Sequence, residues 1–81
     1  MLFRKYIKKE TVIWELATSI ASYRNQKERV IKKGIGPERV QYLQARIDQC
    51  EFMAVSFGIE KEVALKAEQV YNRLCNFGRS A

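Results

Sequence analysis

Through the middle of the chain, apolar residues return every three or four positions without a miss. Val40, Leu43, Ile47, Cys50, Ala54 and Phe57 would form one stripe along an α-helix. After Gly58 the stripe restarts in a new phase at Val63, Ala67, Val70, Leu74 and Phe77. Carrying the old register through the glycine would select Lys61, Ala64, Glu68, Tyr71 and Cys75, a poor seam. This slip, with the cost of about 1 kcal/mol for glycine in a helix interior, predicts a break or sharp kink at Gly58.

A similar face precedes it. Ile13, Leu16, Ile20, Tyr23 and Val30 lie together, with Lys27 as a charged intruder and Trp14, Ala17 and Ala21 widening the face. Gly34 suits the left-handed residue that ends a helix, and Ile35 can fold back on the last turn. Gly36-Pro37-Glu38 opens the next helix, with proline at its first position and a carboxylate near its positive dipole end. Helices are therefore expected over 3–33, 37–57 and 60–77, the last ended by Phe77-Gly78, within a single helical domain covering 1–81. A weak point near Glu10–Thr11 leaves open whether the first segment is one helix or two. The expected fold is all-α: an antiparallel helical hairpin or a three-helix bundle.

One stretch asks for more cover than a small chain offers. Phe52, Met53, Val55 and Phe57, with Ala54 between them, make the end of the second helix apolar nearly all round. A chain of 81 residues buries only about 60% of its unfolded surface, so its core is thin. These four residues are the expected hydrophobic interface, and a homodimer or another protein is the expected occupant.

Charge adds a second candidate. The net charge is +6, and all of the excess falls in residues 1–36, with nine Lys/Arg against three Glu. Residues 37–81 balance at six and six. Arg24, Lys27, Arg29, Lys32 and Lys33 form a basic cluster suited to an anionic partner, nucleic acid or an acidic protein face. The bland reading is solvated helix surface, and Lys32 and Lys33 also complement a helix C-terminus.

The candidate chemistry is mostly negative. There is no histidine, which removes Ser-His and Cys-His pairs, imidazole metal ligands and an imidazole base. Cys50 and Cys75 cannot make a zinc site alone. If their helices fold back at Gly58 they differ in height by roughly 13 Å at about 1.5 Å per residue, too far for a disulfide, so two reduced thiols in a cytoplasmic protein are expected. Asp48 and Glu51 share a segment with Arg39 and Arg46, which favours a salt-bridged surface over acid–base work. Gly34 and Gly36 lack the Lys-Ser/Thr ending of a phosphate loop. No enzyme, cofactor, metal or small-molecule substrate is expected.

Three further readings are weaker. Ala54, Phe57, Gly58 and Ile59 fit part of a helix-turn-helix frame, but Glu60, Glu62 and Glu68 on the following helix would oppose DNA phosphates. Met1 to Lys9 alternates apolar and basic pairs and places Leu2, Phe3, Tyr6 and Ile7 on one face beside lysines, a pattern compatible with peripheral membrane docking. The basic stretch Met1–Glu10 imitates a signal-peptide start, but Glu15 interrupts the apolar run that would follow. The functional expectation is a protein-interaction, adaptor or regulatory module, homo-oligomeric. The alternative is nucleic-acid binding through the basic first helix.

Overall fold

A computed structural model describes residues 8–34 and 36–80, with side chains described as far as residue 76. The described chain forms three helices: α1 (Lys9–Lys33), α2 (Pro37–Ser56) and α3 (Glu60–Ser80). The first is a single helix from its start beside Lys8, whose extended backbone accepts the N–H groups of Thr11 and Val12. The expected apolar face at residues 2–7 and the fold-back of Ile35 lie outside the described residues. Among the described residues no helix is long and apolar enough to cross a membrane.

Each turn is set by a glycine that must adopt a left-handed backbone. Gly34 has φ +69° and ends α1, its N–H returning to the carbonyls of Ile31 and Val30. Pro37 then occupies the start of α2. At the second turn Gly58 has φ +70°. Its N–H donates to Val55 O at 2.9 Å, and the Ile59 N–H donates to Ala54 O at 2.9 Å. These paired bonds are the Schellman arrangement, which satisfies the last carbonyls of a helix and swings the following apolar residue back onto it. Ile59, only 4% exposed, joins Ala54 in the core.

This geometry corrects the predicted stripe. Phe57 sits at the end of α2 as the chain turns away, and Ile59 takes the core place assigned to it. A helical count cannot find Ile59, because the residue arrives by a turn and not by a repeat. Gly78 does not end the last helix, which continues to Ser80.

α1 is the shared partner of the other two helices, while α2 and α3 barely touch each other. Tyr23 lies opposite Arg46, and Lys27 hydrogen-bonds Gln44, so α1 and α2 run antiparallel. Lys9 pairs with Glu62, and Glu28 accepts a hydrogen bond from Tyr71, so α1 and α3 run in the same direction. Serving two neighbours requires two apolar faces on α1. Leu16 and Ile20 are buried beside Tyr23, and the alanines at 17 and 21 are wholly buried, small enough to admit close helix approach. Leu43 and Val63 are the largest side chains fully enclosed. Trp14, expected to widen the core face, is instead about half exposed, with the Lys66 ammonium 5.4 Å from its ring. Leu74 is exposed as well, because the splayed α2 leaves the edge of the α3 stripe without a second neighbour.

Candidate interaction surfaces

The splay of α2 and α3 opens a groove of about 490 Å³ over α1. Ile20 of α1, Ala54 and Val55 of α2, and Val63, Ala64 and Ala67 of α3 give it an apolar lining. Glu51, Glu60 and Glu68 stand at its rim against Arg24 and Lys61, so its charge is close to balanced.

The four predicted interface residues are all exposed: Phe52 by 72%, Met53 by 41%, Val55 by 59% and Phe57 by 61%. They gather at one end of the molecule, but not on one face. Val55 lines the groove, and Phe52 points away from the core. Met53 lies on the opposite flank, in a crevice with Tyr23 and Arg46. Phe57 sits at the turn beside Lys9 and Val12. Among the described residues neither α3 nor α1 covers them.

The predicted basic cluster is divided by the fold. Arg24 turns towards α3, where its Nη1 donates to Glu68 Oε2 at 2.9 Å and its guanidinium stacks 4.0 Å from the Tyr71 ring centre. The bond to Glu68 raises the Arg24 pKa further above its usual range. Lys27 turns towards α2 and donates to Gln44, whose amide donates in turn to Asp48 at 2.8 Å. Arg29, Lys32 and Lys33 remain exposed near the end of α1. The Tyr71 hydroxyl donates to Glu28, and this bond, helped by Cys75 and burial, pushes the phenol well above its ordinary pKa. Arg24, Glu68, Tyr71 and Glu28 thus form a polar clasp between α1 and α3.

Asp48 and Glu51 are not tied to Arg39 or Arg46 by any ion pair among the described residues. The arginines lie on the other flank of α2. Arg46 stands 5.8 Å from the Tyr42 ring centre and 5.9 Å from that of Tyr23, and Arg39 stands 5.6 Å from Tyr42. A hydrogen bond to Tyr23 raises the Arg46 pKa. Both cysteines are free, and burial pushes the Cys50 thiol up, which makes it less ready to ionise. No group of acidic or thiol side chains among the described residues could hold a metal ion.

Folding also sorts charge along the bundle. The end away from the α2–α3 turn collects residues 22–46 and 70–76, where eight lysines and arginines stand with two glutamates, one of the eight, Arg24, being paired across the boundary with Glu68. The turn end collects residues 8–21 and 47–69, where four lysines face seven acidic residues. Sequence position had suggested a basic first segment and a neutral remainder. Antiparallel pairing instead lays the cationic start of α2, Arg39 to Arg46, beside the cationic end of α1. No protein-family model matches the chain, and no curated protein or solved structure shows significant similarity to it.

Proposed function

We propose that this is a non-enzymatic, cytoplasmic interaction module that self-associates through its turn end and presents its basic end to an anionic partner. The observation that carries the reading is the face formed by Phe52, Val55 and the groove beside them. Val55, 59% exposed, lines this groove, and Phe52, 72% exposed, lies three residues before it on the same helix; no helix among the described residues covers the groove's apolar lining. Monomeric proteins rarely leave such a contiguous apolar face open. A second copy is the occupant we favour. The groove rim sets three glutamates against Arg24 and Lys61, so it repels a second copy less than the acidic turn end as a whole would, and a typical interface of about 800 Å² per partner would use only a modest part of the 6469 Å² surface. Two copies bring four exposed anchors to this face, Phe52 and Val55 of each. Completing their burial is worth roughly 4–8 kcal/mol, set against an association cost of about 4–15 kcal/mol, so any self-association is expected to be weak and to depend on concentration.

Light scattering on the full chain tests this directly. A mass above that of the monomer is expected at ~100 µM, falling on dilution. Phe52→Glu should return the mass to the monomer with helix content retained. A monomeric wild type at that concentration removes the self-association reading.

A second reading, nucleic-acid binding, is favoured by the collection of eight cationic residues at the far end. Of the five residues nominated from sequence, Arg29, Lys32 and Lys33 are available on the surface without displacing a bonded partner. A gel shift at two salt concentrations checks it: binding should appear near 50 mM salt and fade steeply as salt rises.

A further inference from the structure

The flank of α2 that carries Arg39, Tyr42 and Arg46 interleaves cations with rings in a way that surface charge alone does not require. The three residues follow at i, i+3 and i+7, so they stand one above another along the helix. Tyr42 is half exposed, with guanidinium groups 5.6 and 5.8 Å from its ring centre. Tyr23 of α1 continues the ladder across the helix interface, 5.9 Å from Arg46. Neither arginine is held by a carboxylate ion pair among the described residues. Asp48 and Glu51 lie on other parts of α2, with Asp48 bonded to Gln44 and Glu51 at the groove.

We propose that this ladder binds single-stranded nucleic acid. Unpaired bases stack on the open Tyr42 ring and on the guanidinium planes, and Arg39 and Arg46 also contact the flanking phosphates. The distances fit this use. The Arg39 guanidinium, 5.6 Å from the Tyr42 ring centre, stands near the outer limit of a cation–π contact, so little is lost when it swings to a phosphate and a base takes its place, whereas Arg46 exchanges its bonds to Tyr23 and Gln49 for those to the strand. Every base offers a π-face, so such a platform is tolerant of sequence. An acidic peptide would use the positive charge but would gain nothing from the rings. A duplex keeps its bases stacked inside and could use only the charge. Arg29, Lys32 and Lys33, at the same end of the molecule, extend the positive field along which a strand would run. This inference specifies the anionic partner of the proposed function and does not depend on self-association.

Fluorescence anisotropy with the 81-residue chain and end-labelled oligouridylate and oligothymidylate of about 20 nucleotides tests it, beside a duplex of equal length and polyglutamate. Binding to the single strands is expected at 50 mM salt. It should be tighter than binding to duplex or polyglutamate, and several-fold weaker at 200 mM salt. Tyr42→Ala should weaken it by about fivefold or more with the melting temperature unchanged, whereas Tyr42→Phe should keep it. The Phe52→Glu monomer should still bind the strand, which separates failure of the dimer from failure of this site. Equal binding by wild type and Tyr42→Ala, equal affinity for polyglutamate, or no binding at 50 mM salt overturns the proposal.

Discussion

Replacing Gly58 with alanine should destabilise this protein, and the sign of the effect is diagnostic. A Cβ built on Gly58 has no heavy atom within 4 Å, so crowding contributes nothing. What remains is the backbone. At φ +70° an L-residue is penalised by about 1–2 kcal/mol. Against this, alanine restricts the unfolded chain more than glycine does, which returns roughly 0.4–1 kcal/mol. The net expectation is a loss of about 1 kcal/mol, a fall in Tm of roughly 4–8 °C for a domain of this size. Urea unfolding followed by circular dichroism, with thermal melts beside it, reads both quantities. Gly36→Ala is the internal control for backbone strain: Gly36 has φ −53° and open space around its Cβ, so alanine meets no left-handed penalty there, and only its weaker capping of α2 opposes the gain from a stiffer unfolded chain. If residue 58 lay inside a straight helix, alanine would stabilise by about 1 kcal/mol instead. A raised midpoint for Gly58→Ala would therefore refute the turn, and with it the parallel pairing of α1 and α3.

Ile59→Ala should cost about 2–5 kcal/mol in urea unfolding, because the side chain is almost wholly buried beside Ala54 and Val63; a loss below 0.5 kcal/mol would place it outside the core. Phe52→Glu should leave the melting temperature of dilute protein nearly unchanged, since Phe52 is open in the protomer, and should lower it only at concentrations where the wild type associates. The Tyr71 phenol is held protonated in the folded state, so its contribution is complete below the unfolded pKa near 10 and is lost as pH rises towards the folded value. Thermal melts between pH 9 and 11 should show stability falling with pH, and Tyr71→Phe should flatten part of that fall; an identical slope in both proteins would exclude the Glu28 hydrogen bond as its source.

The repeat of apolar positions, read with the glycines, pointed to an all-helical chain broken near Gly58, but it left open whether the first segment was one helix or two and ended the last helix short of Ser80. Its reach comes from the regularity of the α-helix, which fixes which side chains share a face before any neighbour is known. Gly34, Pro37 and Gly58 added punctuation whose meaning depends only on local backbone geometry. Phe52, Met53, Val55 and Phe57 stood out as more apolar surface than a small chain would cover, and they are exposed. What periodicity could not supply was the path of the chain between helices. Ile59 enters the core through a hydrogen-bonded turn, while Phe57, one step earlier, is turned out.

The arrangement of charge and aromatic groups belonged to the tertiary structure alone. Arg24 and Lys27 are neighbours in sequence, yet one helical surface sends them to different partners, Glu68 on α3 and Gln44 on α2. Tyr23 and Arg46 are far apart in the chain and come together only because α1 and α2 run antiparallel. The same direction reversal collects the cations at one end and the carboxylates at the other. Local preferences act over a few residues, whereas the meeting of distant side chains depends on the order, direction and crossing of helices, which is decided by burial of the whole apolar surface at once.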